Sequence, residues 1–223
     1  KTAPMVRQAM RYLRQSYDPA LAAWPLIPAH DNTAPRAPWW NYSEDCSKSC
    51  HDFLVNPRAE ILGDFFRYGE GDAPAWLLPL VHDVIKYFAE QPVEKLQDGE
   101  LSCALILVDA PNLPEAQRAA LLATLLPIAE QMVQRTPDAW TNYGLQPYQI
   151  AASPTSPFLP VVADVIETNL DYLITQQGDE GAWPLTWSWF GQYTDMWPTA
   201  EREWKGILTL RIVHALRTFD RLA

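Results

Sequence analysis

Residues 172–185 read YLITQQGDEGAWPL, and residues 12–26 read YLRQSYDPALAAWPL. Each stretch begins with Tyr-Leu at the end of an apolar helical pattern, crosses a polar segment and ends with Trp-Pro-Leu. Helical repeats bury their faces against neighbouring repeats, so related units at the two ends of a chain predict a ring that closes. Chance similarity is the alternative, because few positions coincide and the two spacers differ in length.

Apolar residues at helical spacing run through most of the remaining chain. The first helix is predicted to end before Asp18-Pro19, because proline disfavours the helical conformation in the residue that precedes it. Asn56-Pro57 predicts a helix start, with Asn56 as its cap and Gly69 as its end. Further helices are predicted over residues 76–88, 101–108, 114–135 with a kink at Pro127, 156–176, and from 198 onward.

The pattern predicts an all-α fold built from antiparallel helix hairpins. A chain of 223 residues suits one sizeable domain, so we expect a single helical domain over residues 1–223. A long loop rich in proline and aromatic residues is expected over residues 20–55, and shorter aromatic loops over 137–157 and 183–198. Long connections of such composition are typically functional.

The charge and hydropathy of the chain exclude two classes of function. With 27 acidic and 17 basic residues, the net charge is -10, which would repel a phosphate backbone, so no nucleic-acid partner is expected. No apolar run approaches the length that spans a bilayer, so no integral membrane segment is expected either.

Cysteine usage favours a cytoplasmic location and argues against a metal centre. The three cysteines cannot all pair within the chain, which favours a reducing compartment. Cys46, Cys50 and His51 lie close together, but no second cluster completes a four-ligand zinc site. We therefore expect no metal and no cofactor, and the sequence predicts neither an oligomeric state nor a role for Cys103.

The pattern of Tyr172-Leu173, Gln177, Gly181 and Trp183 resembles the glutamine-tryptophan motif of squalene-hopene cyclases and related class II terpene cyclases. The resemblance continues in Trp204-Lys205-Gly206 and covers the C-terminal quarter of the chain. It implies an α/α toroid-like array of helices, in an abbreviated or open form. In that family the motif is structural, which implies that Gln177 ties helix ends together and that Trp183 stacks beneath it.

The sequence departs from this family in its acid motifs. It contains neither the Asp-x-Asp-Asp string of class II cyclases nor the Asp-Asp-x-x-Asp string of class I enzymes. The resemblance in fold is therefore a stronger expectation than the resemblance in activity.

Two sets of residues are candidates for catalysis. His51 beside Asp52 could move a proton, and an apolar cavity would favour the neutral acid that protonates an alkene. The alternative is that Asp52 caps a turn and His51 is merely polar. Asp195 stands beside Trp197, where ring faces and charge could stabilise a carbocation or bind a sugar. Glu201 and Glu203 nearby are equally explained as partners of the helix dipole.

Ten tryptophans predict clefts lined by rings. Rings at the predicted cleft are candidates for substrate binding, although core packing is expected to account for most of the tryptophans. These candidates are Trp39, Trp40, Tyr143, Trp187, Trp189 and Trp197.

Three functions remain open at this point. The first is an enzyme that cyclises an apolar isoprenoid or polyene by acid-initiated carbocation chemistry, of the isomerase or lyase type. The second is a non-catalytic module that keeps the helical scaffold and binds a hydrophobic ligand or partner. The third is carbohydrate processing in a helical barrel, which would need two carboxyl groups about 5 to 10 Å apart across a groove.

Overall fold

Helices make up all the regular secondary structure in the part of the chain described by the computed structural model, which comprises residues 3–20, 22–24, 34–37, 40, 55–69 and 76–222. The prediction of an all-α fold is therefore confirmed. The helices are α1 (Pro4–Ser16), α2 (Arg58–Tyr68), α3 (Leu77–Glu90), the 3-10 helix Val93–Lys95, α4 (Asp98–Val108), α5 (Glu115–Met132), α6 (Pro137–Trp140), α7 (Pro147–Ile150), α8 (Leu159–Val162), α9 (Ile166–Thr175) and α10 (Trp197–Thr218).

The chain divides into two compact units, with the boundary inside α5. Unit 1 comprises Lys1–Asn32 and Tyr42–Ile128, and unit 2 comprises Thr33–Asn41 and Ala129–Ala223. The single domain expected from chain length stays a prediction.

In unit 1, α2 and α4 pack side by side in the same direction. Two contacts show that the helices run in the same direction. The Cys103 thiol lies 3.7 Å from an oxygen of Glu60 near the start of α2. Asn112, just beyond the end of α4, donates its side-chain amide to the Phe66 carbonyl near the end of α2 at 2.8 Å. A Cβ added at Gly63 would lie 3.2 Å from the Ile106 carbonyl oxygen. Glycine therefore permits the close approach of the two helices.

Helix α3 follows α2 in the chain and packs against α2 in the opposite direction. The Arg58 guanidinium, at the start of α2, donates to the Leu80 carbonyl at 3.2 Å and to the Asp83 carboxylate at 2.8 Å. The end of α2 meets the start of α3, where the Phe65 and Trp76 rings lie 5.6 Å apart. Three successive helices thus alternate in direction, as the hairpin pattern predicts.

Unit 2 is organised around buried hydrogen bonds at the start of α7. Asn169 on α9 is fully buried, and its side chain accepts from the Tyr148 backbone N–H at 3.1 Å and donates to the Gln146 side chain at 3.1 Å. Its amide therefore has partners for both polar atoms, which is the condition for burying it without a large cost.

Most predicted helices have observed counterparts, with two corrections. Asn56 was expected to cap α2, but no side-chain cap is present there, and its amide oxygen instead lies 3.6 Å from the Cys103 sulfur. The helix predicted over residues 156–176 is divided into α8 and α9, with Val165 between them in a non-helical conformation. The short helices α6 and α7, each with proline in its first turn, were not predicted.

Candidate ligand-binding site

The glutamine-tryptophan corner of unit 2 closes the C-terminal end of α9; we call residues 172–185 corner 2. The buried Trp183 indole donates to the Leu173 carbonyl at 2.7 Å, which adds a second donor to a carbonyl of the last helical turn that also accepts the Gln176 backbone N–H at 3.1 Å. The Gln177 side-chain amide donates to the Gly181 carbonyl at 2.9 Å. Gly181 has a φ of +81°, so it occupies a conformation that glycine adopts at little cost.

The related stretch in unit 1 closes α1 in the same manner; we call residues 12–26 corner 1, of which residues 12–20 and 22–24 are described. The Trp24 indole donates to the Leu13 carbonyl at 2.6 Å. Backbone hydrogen bonds between Asp18 and Ala23 close the turn that brings Trp24 back to the helix. The internal similarity noted in the sequence thus corresponds to a shared local structure.

An aromatic cluster lies next to corner 2 in the sequence and within unit 2. Ring centroids are 5.3 Å apart for Trp187 and Trp204, 5.8 Å for Trp187 and Trp197, and 5.5 Å for Trp189 and Trp197. Tyr193 joins it at 6.1 Å from Trp189. The structure therefore brings together the three predicted ring residues of this segment, which we call, with Tyr193 and Trp204, the aromatic cluster.

Trp204 belongs to the aromatic cluster although it is not among the residues predicted to bind a ligand. Trp197 and Trp204 are seven residues apart on α10, which is about two helical turns, so the spacing places both rings on one face. This heptad spacing was the signal that could have identified Trp204.

The aromatic cluster is only partly buried. Trp189 is 8% exposed and Trp204 is 40% exposed, whereas Trp187 and Trp197 are intermediate. Core packing was expected to account for most tryptophans, but of the nine in the described residues only four are buried, namely Trp24, Trp140, Trp183 and Trp189. An aromatic surface that is accessible at one side and buried at the other is the form that a ligand site takes.

The backbone around Trp189 adopts conformations that side chains disfavour. Phe190 has a φ of +51° and Tyr193 a φ of +49°, and Gly191 between them is also left-handed. A positive φ in a bulky residue is uncommon and costs about 1–2 kcal/mol. Phe190 is also 77% exposed, so burial of its own ring does not offset this cost. Strain of this kind is concentrated at functional sites.

Trp189 also carries a buried polar atom without a partner. Its indole Nε1 is enclosed by protein and has no hydrogen-bond acceptor among the described residues. A buried donor left unpaired costs about 1–3 kcal/mol relative to a satisfied one. Unit 2 has three buried side-chain atoms without a partner among the described residues, on Gln134, Trp189 and Thr209, and of these residues only Trp189 belongs to the aromatic cluster.

The remaining predicted residues of unit 2 lie on the surface. Asp195 is exposed in the segment between Tyr193 and Trp197, and Tyr143 is 63% exposed. Trp40 is 37% exposed and belongs to unit 2, as do residues 34–37. Glu201 forms an ion pair with Lys205 at 3.5 Å, one turn further along α10. His51, Asp52, Trp39, Cys46 and Cys50 lie outside the described residues, so their predicted roles stay predictions.

Unit 1 contains a buried polar group that the sequence analysis missed. The Cys103 thiol lies near Asn56 and Glu60, and burial, together with the Glu60 carboxylate, raises the pKa of this thiol to about 12. Glu100 is buried and accepts hydrogen bonds from the Tyr87 hydroxyl at 2.7 Å and the Gln97 backbone at 2.8 Å. A thiol with so high a pKa is a poor nucleophile at neutral pH, which indicates a structural role for Cys103.

Two further features are absent from the described part of the chain. No group of three or more His, Cys, Asp or Glu residues there could hold a metal ion. No helix within the same residues combines the length and the apolar character needed to cross a membrane.

Comparisons with known proteins assign neither a family nor a function to this chain. The chain matches no protein family, no curated protein and no solved structure.

Proposed function

We propose that this chain is a terpene-cyclase-like helical protein that binds an apolar isoprenoid or polyene on the aromatic cluster. The observation that carries the proposal is the continuous, partly exposed set of rings from Trp204 through Trp187 and Trp197 to Trp189. The rings meet at interplanar angles of 54° to 80°, so they form an apolar surface with faces in several orientations, and ring faces attract positive charge. Both properties suit a polyene and the cations derived from it.

A toroid-like arrangement of the helices is part of the proposal. Two features support it: α2 packs parallel to α4 and antiparallel to α3, and a pair of corners closes α1 and α9. In an α/α toroid, alternate helices run in the same direction and short corners join each hairpin to the next. The resemblance of Gln177, Gly181 and Trp183 to the cyclase motif adds to this support.

Binding without catalysis is the version that the observed geometry favours. An alkene-protonating acid has to be enclosed by apolar groups, whereas Asp195 is exposed to water. Acid-initiated cyclisation remains the second candidate, with Asp195 or Asp52 as proton donor. Incubation with squalene and analysis of the products by gas chromatography tests this candidate. Turnover that is lost in Asp195→Ala or Asp52→Ala would establish it.

The binding proposal is tested by titrating the purified chain with farnesol and squalene while following tryptophan fluorescence. We expect saturable quenching that Trp187→Leu weakens about tenfold, because about 60 Å² of apolar contact contributes about 1.5 kcal/mol. Trp76→Leu is the matched control, since Trp76 is also partly exposed but belongs to the aromatic group of unit 1, where it lies 4.9 Å from Tyr17. It should leave the affinity unchanged.

Two results would contradict the proposal. One is equal loss of affinity in Trp187→Leu and Trp76→Leu, which would mean that the quenching reports general hydrophobic adsorption. The other is saturable binding of cellobiose without binding of farnesol or squalene, which would favour the carbohydrate alternative.

A further inference from the structure

Trp189 differs from every other buried tryptophan of the described residues in its hydrogen bonding. The indoles of Trp24, Trp140 and Trp183 each donate to a backbone carbonyl, at 2.6, 2.8 and 2.7 Å. The Trp189 indole is buried to a similar degree, but its N–H has no acceptor. Protein folding rarely leaves such a donor unpaired, because burial removes it from water.

The ring neighbours of Trp189 offer its indole N–H no strong acceptor. Its ring contacts are the Trp197 ring at 5.5 Å and the Tyr193 ring at 6.1 Å. Aromatic faces are weak acceptors in comparison with a carbonyl or hydroxyl oxygen. Phe190 and Tyr193, which follow Trp189 in the same segment, have left-handed conformations that cost strain.

We propose that the Trp189 Nε1 atom is a ligand-binding donor, which hydrogen-bonds an oxygen atom of a molecule held on the aromatic cluster. The inference rests on the proposed function and narrows its ligand class to isoprenoids that carry a hydroxyl or carbonyl group. The hydrocarbon body would lie on the accessible rings of Trp187, Trp197 and Trp204. The oxygen would reach the Trp189 donor at the buried end of the cluster after the atoms that enclose Nε1 in the free chain move aside.

This assignment makes Trp189 a determinant of specificity. A site with a donor that needs a partner discriminates against an analogue without the acceptor, because that analogue leaves the donor unsatisfied. An apolar surface alone would bind both analogues according to their buried area.

The experiment compares farnesol with farnesene, which has the same number of carbon atoms and no oxygen. Binding is measured by ultrafiltration and gas chromatography for the wild-type chain, Trp189→Phe and the control Trp204→Phe. We expect the wild type to prefer farnesol, and Trp189→Phe to reduce farnesol affinity about fivefold more than farnesene affinity, as for one net hydrogen bond. Trp204→Phe reduces the ring area at the exposed end of the aromatic cluster and should lower the affinity for farnesol and for farnesene equally.

Nuclear magnetic resonance of the indole groups gives a second readout that a purely structural role would not change. The Trp189 indole signal is assigned by its loss in Trp189→Phe, and it should move downfield when farnesol binds and remain in place when farnesene binds.

The outcomes separate this inference from the proposed function. If neither farnesol nor farnesene binds, the proposed function fails. If both bind and Trp189→Phe weakens them to the same extent, or if the indole signal responds equally to both, the aromatic cluster binds ligands but Trp189 is not the donor.

Discussion

Corner 1 and corner 2 have the same backbone geometry but different side chains supporting it. In both, a tryptophan indole donates to a leucine carbonyl near the end of a helix, at 2.6 Å from Trp24 and 2.7 Å from Trp183. In both, the residue two positions before the tryptophan is left-handed: Ala22 at a φ of +50° and Gly181 at +81°. Each corner is also closed by a backbone hydrogen bond at the same position. Asp18 donates its N–H to the Ala23 carbonyl in corner 1, and Gly178 donates its N–H to the Ala182 carbonyl in corner 2.

The supporting side chains differ at the position four residues after the leucine. Corner 1 has Tyr17, whose ring lies 4.9 Å from both Trp24 and Trp76. Corner 2 has Gln177, which holds the Gly181 carbonyl. One corner is therefore supported by aromatic contacts and the other by a hydrogen bond. The tryptophan and its carbonyl partner therefore define the turn, while the neighbouring support can be exchanged.

The largest expected effect comes from removing the indole donor of each corner. Trp183→Phe should lower the free energy of unfolding of unit 2 by about 2–3 kcal/mol, because it removes a buried hydrogen bond and ring volume and leaves the Leu173 carbonyl with the Gln176 backbone N–H alone. Trp24→Phe should cost unit 1 about 1–2 kcal/mol, because Leu13 is partly exposed and water can reach its carbonyl. Urea unfolding followed by circular dichroism measures both.

The difference between the two corners predicts a larger loss of stability for Trp183→Phe than for Trp24→Phe. Trp76→Phe in unit 1 controls for loss of ring volume alone. A larger loss for Trp24→Phe than for Trp183→Phe would show that the aromatic contacts of corner 1, and not the capped carbonyl, determine the stability of these turns.

The second expected effect comes from removing the side chain that supports each corner, Tyr17 in corner 1 and Gln177 in corner 2. Tyr17→Leu should cost about 1–2 kcal/mol, since it removes two aromatic contacts. Gln177→Leu should cost only about 0.5–1 kcal/mol, because its hydrogen bond is exposed. The same urea transitions measure the two losses. If Gln177→Leu were the more damaging change, the glutamine would have a role in corner 2 beyond its bond to Gly181.

The third expected effect tests the shared left-handed position. Gly181→Ala should cost about 1 kcal/mol through conformation alone, because the nearest atom to the added methyl group is 4.0 Å away. The reciprocal change, Ala22→Gly, should be nearly neutral, because relief of strain is offset by the greater flexibility of glycine in the unfolded chain. Thermal unfolding of both variants provides the measurement. Equal changes of the same sign would contradict the equivalence of the two positions.

Local patterns in the sequence predicted the helices better than they predicted the site. Helix ends at Ser16 and Tyr68 agree with the expected stops before Asp18-Pro19 and at Gly69, because proline and glycine act through the local backbone. Cys103 shows the opposite case: its partners Asn56 and Glu60 are more than 40 residues away in sequence and become neighbours only when α2 and α4 pack. No local signal indicates such a contact.

The aromatic cluster was partly predictable, because local sequence patterns also bear on this segment. Trp187, Trp189 and Trp197 lie within eleven consecutive residues, so their proximity in space follows from proximity in sequence. The missing acceptor of Trp189 depends on how the segment around it folds, in particular on the left-handed Phe190 and Tyr193, neither of which belongs to a residue type that favours this conformation.

The smallest expected effect concerns the ion pair between corner 2 and α10. Glu180 lies 3.1 Å from the Lys205 ammonium, and this hydrogen bond, with help from Glu201, raises the pKa of Lys205 above its usual value. A raised lysine pKa means that the folded state holds the proton more tightly than the unfolded state. The stabilisation is therefore complete below the unfolded pKa of about 10.4 and is lost as the pH rises through the folded value.

Lys205→Met should accordingly lower the melting temperature of unit 2 slightly at pH 8, and this difference from the wild type should shrink as the pH rises toward 11. It should also shrink in concentrated salt, because Glu180 is mostly exposed and its charge is readily screened. Lys86→Met is the matched control, since Lys86 is an exposed lysine of unit 1 that lies 3.9 Å from Glu90. A difference for Lys205→Met that persists unchanged at pH 11 would mean that its aliphatic chain, rather than its charge, connects corner 2 to α10.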